Sequence, residues 1–207
     1  GTFTPTYSYD KINQAKGTDW LDEVTRTGYM QQHNLSINGG TESTRYLVSV
    51  NYMHQDGVVK NNAATRLSAR VNLDQDINKM LTVGLSASYA QNKYDNVPLG
   101  DKVNQNAGVL TAAIQANPST PVYDENCYYY IDPARSSTPN AVSLLEIKDN
   151  TVKDRIMASA YALLKPLEGL ELKAQLGADR RGQKRNSYVP KSTLFGANEN
   201  GIANIAQ

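Results

Sequence analysis

Four tyrosines, Tyr123 and Tyr128 to Tyr130, form the densest aromatic patch in the sequence and are its best candidates for touching a ligand. A tyrosine ring offers flat apolar area and a polar tip, which suits a sugar face or a partner protein. The opposing reading is that these rings only pack their own loop against itself. Other reactive residues carry weaker patterns. Asp74-Gln75-Asp76-Ile77-Asn78 opens like a calcium loop, but Lys79 stands where glycine is required and Leu85 where the bidentate glutamate belongs, so a turn is expected instead. Ser8-Tyr9-Asp10-Lys11 fits a Ser-x-x-Lys spacing with no supporting motif. His33 and His54 fall far apart, on different strands, and are read as strand ends rather than metal ligands. Cys127 is the one cysteine and has no histidine near it in sequence, so neither a disulfide nor a cysteine metal framework can form. There is no glycine-rich phosphate loop. The expectation is a protein that is not an enzyme, with no catalytic residue, no metal and no cofactor.

Charge excludes a further class. With 21 basic and 20 acidic residues the net charge is +1, which gives no long-range field for nucleic acid. Arg180, Arg181, Lys184 and Arg185 are the one dense basic cluster; no stacking aromatics are interleaved with them, so a solvated charged loop is expected rather than a nucleic-acid site.

The elements that must carry these residues read as strands. Thr65 to Asp74 sets Leu67, Ala69, Val71 and Leu73 against Arg66, Ser68, Arg70 and Asn72, a period of two that puts the sets on opposite faces of a sheet. Leu81 to Gln91 repeats the pattern with a small, polar second face. Arg45 to His54 and the shorter Asn34 to Gly39 precede them, and Val152 to Leu164 and Leu170 to Arg180 follow. Asp19 or Thr18 can cap a short helix to Val24, with Trp20, Leu21 and Val24 on one face. Gly100-Asp101 can open a second helix whose Val103, Ala107, Leu110 and Ile114 share a side, ended by Pro118; a third short helix is expected from Ala141 to Ile147. The resulting division is a loop with a helix over 1–32, four strands over 33–91, a large loop with short helices over 92–152, two strands over 153–180, and a loop over 181–207.

Alternation alone fits two architectures. A soluble sandwich turns its apolar face to a core; a membrane barrel turns it to lipid and its polar face to the lumen. Connections and strand lengths favour the barrel. Odd connections are short and even ones long, as when all turns lie at one end of an up-and-down barrel and all loops at the other. Four strands reach ten residues or more, close to the ~9–11 that a tilted strand needs to cross a bilayer. Tyrosine placement fits less well. Tyr46, Tyr52 and Tyr89 lie on the apolar set near strand ends, but Tyr46 and Tyr52 are only ~15 Å apart along the normal, short of a ~25 Å band. Six strands cannot close a barrel, for which eight is the usual minimum. The fold expected is therefore all-β, an antiparallel up-and-down transmembrane barrel segment of about six strands.

Particular residues also carry a family resemblance. Thr18-Asp19-Trp20-Leu21-Asp22-Glu23, then His33 to Gly40, Arg45-Tyr46, Gln55-Asp56-Gly57-Val58-Val59-Lys60, and Asn117-Pro118 with Pro121 to Glu125 resemble, in order, the early barrel of SusC/RagA-type TonB-linked outer-membrane transporters. That resemblance implies a 22-stranded barrel around a plug in the outer membrane of a Gram-negative cell. It implies import of glycan oligosaccharides or peptides, a SusD-like surface lipoprotein on top, and TonB as the source of energy. It also implies that the 1–32, 92–152 and 181–207 loops are extracellular. The TonB box, plug and C-terminal aromatic strand have no counterpart in these residues, so the chain corresponds to roughly a quarter of the wall. The competing reading is a soluble β-sheet carbohydrate-binding or adhesion module. The two differ in what the Leu67, Ala69, Val71 and Leu73 face touches.

Overall fold

The computed structural model describes residues 17–98 and 108–206. Seven strands form one antiparallel sheet in sequence order: β1 (Met30–Gly40), β2 (Thr44–Asp56), β3 (Ala63–Asn78), β4 (Leu81–Asn96), β5 (Lys148–Leu167), β6 (Leu170–Val189) and β7 (Ile202–Ala206). Two helices, α1 (Trp20–Val24) and α2 (Val109–Gln115), lie outside the sheet. No helix among the described residues is long and apolar enough to cross a membrane, which says nothing of crossing by strands.

The register carries the alternation across all strands. One row reads Ile37, Val48, Val71, Ala87, Ala158, Ala178, and the next Ser36, Ser49, Arg70, Ser88, Met157, Asp179. Each of β1 to β6 thus contributes its apolar set to one face and its polar set to the other. The short connections, 41–43, 79–80 and 168–169, gather at one end; 57–62, 97–147 and 190–201 gather at the other.

The turns step down the sheet. The β1–β2 turn ends at Thr44, which pairs with Gln75; the β3–β4 turn lies three residues further, where Asn78 pairs with Leu81. Leu81 pairs with Leu164, and the β5–β6 turn closes three residues beyond, at Leu167 and Leu170. Three residues per two strands is about 10 Å along the chain for about 10 Å sideways, so turns at a common level require a tilt of about 45°, the geometry of barrel strands. In that frame Tyr52 and Tyr89, each eight residues from the turn that opens its strand, come to one level, whereas Tyr46 stays about 14 Å beneath them, inside an apolar band of about 25 Å and off its lower girdle.

Burial separates the two architectures. The buried apolar side chains are Trp20, Val24, Val59, Val97, Val109, Ala112, Ala113, Ala141, Leu144, Leu145 and Ile147, and none belongs to a strand. Leu67, Val71 and Leu73 are about 40% exposed (40%, 40% and 38%). A sandwich would cover that face with a second sheet; the described residues form one sheet and leave it bare.

Several sequence expectations are corrected. The strands outrun their predicted ends, and 181–207 is not one loop: β6 continues to Val189 and β7 pairs with it from Arg185 to Val189. Backbone pairing persists where both faces turn polar, so hydropathy marks the apolar band and not the strand. Arg180, Arg181, Lys184 and Arg185 lie on β6 and divide between its faces. His33 and His54 are not far apart: they sit on adjacent strands two rows from one another, His33 stacked on Tyr52 at 6.4 Å and His54 Nδ1 2.9 Å from Thr65 Oγ1. Leu21 is exposed, not packed with Trp20 and Val24. In α2 the buried side is Val109, Ala112 and Ala113, while Ile114 is 72% exposed. Thr111 and Gln115 leave more than half of that helix's circumference apolar, so its neighbours choose which part of the apolar side is buried. Gly100, Asp101, Val103, Ala107 and the Ser8 to Lys11 stretch lie outside the described residues. The 141–147 helix shortens to a 3-10 turn, Ser143–Glu146.

Candidate functional site

The loops of one rim fold together as a platform. Asp19 caps α1 by accepting from the Leu21 and Asp22 amides. This turns Trp20 and Val24 inward, where the indole Nε1 donates to the Asn117 carbonyl at 3.0 Å and Thr18 Oγ1 donates to Thr120 O at 2.8 Å. Thr25 bridges to Val59 of the 57–62 loop. Arg26 ties the same two segments, donating from Nη2 to Asp56 Oδ1 at 2.8 Å and to Asn62 O at 3.1 Å. Lys60 Nζ caps the carbonyls of Asp22 and Glu23, the end of α1 where a cation is favoured. Asn61, in the left-handed region at φ 62°, donates to Leu145 O at 3.0 Å, and Ser192 of the 190–201 loop donates to Glu146. Leu144 lies at the centre, fully buried.

The tyrosine stretch forms a small hairpin on this platform. Tyr123 and Tyr129 bridge in antiparallel fashion with rings 5.2 Å apart. Asp124 accepts from the Asn126 and Tyr128 amides, and Cys127 makes the turn at φ 63°. Strand-like alternation then splits the predicted patch. Tyr129 is half-buried and donates to Glu146 Oε1 at 2.7 Å; burial first, and then this acceptor, hold its hydroxyl well above the usual tyrosine pKa. A raised pKa stabilises the neutral donor, so this contribution is complete below the ordinary tyrosine pKa and is lost as pH rises further. Tyr130 is also half-buried, against the Trp20 side of the rim. Tyr128 projects outward, 73% exposed, and Tyr123 is 49% exposed. The structure thus brings Tyr123 and Tyr129 together and sets Tyr128 apart at the tip.

Asn140 holds the hairpin in place. Its Nδ2 donates to Val122 O and Tyr130 O at 2.9 and 3.1 Å, while its Oδ1 accepts from the Val142 amide at 3.0 Å. Asn140→Ala removes the partner of the Tyr130 carbonyl and of the Val142 amide at a buried position, while Val122 O keeps the Tyr130 amide at 3.0 Å. It is expected to cost about 1–3 kcal/mol and to raise backbone hydrogen exchange over 122–130 above that of the strands.

Sequence reasoning missed a second feature, a cleft of about 890 Å³ where the rim meets the strand ends, walled by Arg26, Asp95, Glu146, Lys148, Asp149 and Tyr188. Those residues come from separate segments, and no spacing in the sequence announces them. Arg185 grips Asp149 at its margin through Nε and Nη2, at 2.7 and 2.5 Å. Among the described residues no group of three or more His, Cys, Asp or Glu converges. What the rim presents is exposed rings at the hairpin and paired charges in the cleft.

No protein-family model matches the chain. Among curated proteins it is similar to TonB-dependent receptor P3 of Formosa agariphila, 29% identical over 205 residues, which cover 98% of this chain and 20% of that protein. TonB-dependent receptor SusC of Bacteroides thetaiotaomicron is 29% identical over 113 residues, 54% of this chain and 11% of that protein. Among solved structures, the RagAB peptide importer in its closed-closed state superposes with a TM-score of 0.68 at 25% identity, over 85% of this chain and 20% of the other. Its open-open state gives the same score. The chain spans about a fifth of the length of the first curated relatives it matches (20%). Sequence along almost the whole chain and a shared antiparallel sheet therefore agree: the chain is similar to a stretch of TonB-dependent receptors of the SusC/RagA type.

Proposed function

We propose that the protein to which this chain belongs imports a nutrient, an oligosaccharide or a peptide, across the Gram-negative outer membrane, with energy from TonB and a SusD-like lipoprotein over its mouth. In this reading the apolar face meets lipid, the polar face lines a lumen, and the rim platform is extracellular with its short turns in the periplasm. One observation carries it: the chain keeps a well-packed core in its loops while no second layer among the described residues covers the apolar face shared by β1 to β6. A soluble module would expose that face to water at a cost of ~25 cal/mol per Å². The resemblance to SusC/RagA-type transporters supports the partners, and Tyr128 and Tyr123 are the exposed rings that a substrate or the lipoprotein would meet.

Arginine at two neighbouring positions tests the orientation. In the full-length transporter, Val71→Arg puts a charge on the apolar face and is expected to destabilise the barrel by ~2–4 kcal/mol, whereas Asn72→Arg faces the lumen and is expected to leave folding nearly intact. Heat-modifiable migration of the outer-membrane protein reads both; equal behaviour of the two variants would sink the membrane reading. For the rim, Tyr128→Ala removes an exposed ring whose hydroxyl makes no hydrogen bond among the described residues and is expected to weaken uptake or lipoprotein association severalfold without loss of fold. The Tyr128→Ala, Tyr129→Ala, Tyr130→Ala triple variant with uptake and association both unchanged would remove the tyrosines from the site.

A further inference from the structure

The polar face is not uniformly polar. Its carboxylates gather at the two ends: Asp74, Asp76 and Glu171 toward the short turns, and Asp149 toward the rim. Between them, the register assembles Arg66 and Arg70 of β3 with Lys153 and Arg155 of β5 and Arg181 of β6. Asp179 is the one carboxylate in that middle zone among the described residues. It is already held by Arg155 through Nε and Nη2 at 3.0 and 2.8 Å, and by Arg181 at 3.0 Å. Lys153 lies over the Tyr94 ring at 5.7 Å, a contact that leaves its charge unneutralised. Arg66 and Arg70 are exposed and make no hydrogen bond or ion pair among the described residues, although the strands on both sides of β3 are in place.

The floor between these cations is shallow. Arg70 is flanked in register by Ser49 and Ser88, and Ser68, between the two arginines, by Asn51 and Ala90. Small side chains there leave the guanidinium groups standing clear of the wall, with planar donor edges free for a carboxylate or sulfate. Five cations against one engaged carboxylate is a local excess that the chain's net charge of +1 conceals.

We infer that this basin on the polar wall binds anionic groups of the cargo, so that the transported oligosaccharide or peptide is an acidic one bearing carboxylates or sulfates. The inference rests on the reading of the polar face as the lumen wall. The same chemistry has a second source, acidic side chains of a plug, and the test separates the two.

The full-length transporter is titrated with two fluorescent decapeptides of equal length, one rich in Asp and Glu and one in Ser and Gly, at low and at physiological salt. The acidic peptide is expected to bind about tenfold or more tightly, with a preference that shrinks as salt screens it. Arg66→Gln with Arg70→Gln is expected to cut that preference severalfold while leaving the neutral peptide's affinity and the barrel's heat-modifiable migration unchanged. Equal affinity for both peptides in the wild type overturns the inference. So does an acidic preference that survives the double substitution, or one accompanied by new protease sensitivity in the plug, which would assign the arginines to the plug's own carboxylates. Loss of heat-modifiable migration in the wild type, by contrast, would strike at the barrel reading itself.

Discussion

Leucine in place of Gly84 is expected to prevent the sheet from forming in the full-length protein. Gly84 pairs with Tyr161 across β4 and β5, and the phenol ring lies directly over it, so that a Cβ there would overlap the ring and come 2.7 Å from Asp74 Oδ1. The ring cannot move aside cheaply. Its hydroxyl donates to Asp74 at 2.7 Å, two strands away, and Lys173 Nζ sits 4.6 Å from its centroid on the far side. One aromatic side chain thus links β3, β4, β5 and β6 across a position where a glycine leaves room. Displacing it loses a hydrogen bond to a charged acceptor, ~1.5–3 kcal/mol, and adds the cost of overpacking, ~1–3 kcal/mol. The combined loss is comparable to the stability of a domain with a modest margin. Loss of heat-modifiable migration in outer-membrane fractions reads the effect. Adding Tyr161→Ala to Gly84→Leu should restore part of the folded population, because it removes the overlap. A double variant as defective as Gly84→Leu alone would mean that the ring is not the obstacle.

The second large effect is expected in the rim. Leu144 is wholly buried among Trp20, Val24, Val109 and Ala112, and Leu144→Ala deletes its side chain from the centre of the one packed core, at ~2–5 kcal/mol. Because Val189, the last residue of β6, is the one strand side chain packed against that core among the described residues, the loss is local: the loops should open while the sheet stays paired. Limited proteolysis of the full-length protein is expected to show new cleavage within 108–147 with heat-modifiable migration intact. Cleavage unchanged from wild type would show that the platform does not depend on its core. Simultaneous loss of the folded barrel would show that rim and wall unfold as one.

The sheet was legible wherever its faces differ in polarity. Leu67, Val71 and Leu73 against Arg66, Arg70 and Asn72 fix both the strand and its two faces, because a period of two has one reading. Legibility failed at Lys148 to Thr151 and Gln183 to Val189, where polar residues occupy both faces and only backbone pairing continues the strand. Helix faces failed for a related reason: outside Thr111 and Gln115 the helix Val109–Gln115 is apolar, so both Leu110 with Ile114 and Val109 with Ala112 and Ala113 satisfy the period. The tyrosines were legible as a cluster but not as a surface, since a turn at Cys127 sends Tyr128 out and Tyr129 in.

Alternation and the order of short and long connections are properties of consecutive residues, so the sequence by itself determined an up-and-down sheet with one apolar and one polar face. Three features depended on which distant residues meet. The step of the turns that tilts the strands is set by register; the core shared by four separate rim segments is set by their packing. The gathering of Arg66, Arg70, Lys153, Arg155 and Arg181 on one wall needs residues more than eighty positions apart to align on β3 and β5 across the intervening β4. No local pattern encodes such meetings, because each arises from hydrogen-bonded register and not from the composition of any one stretch.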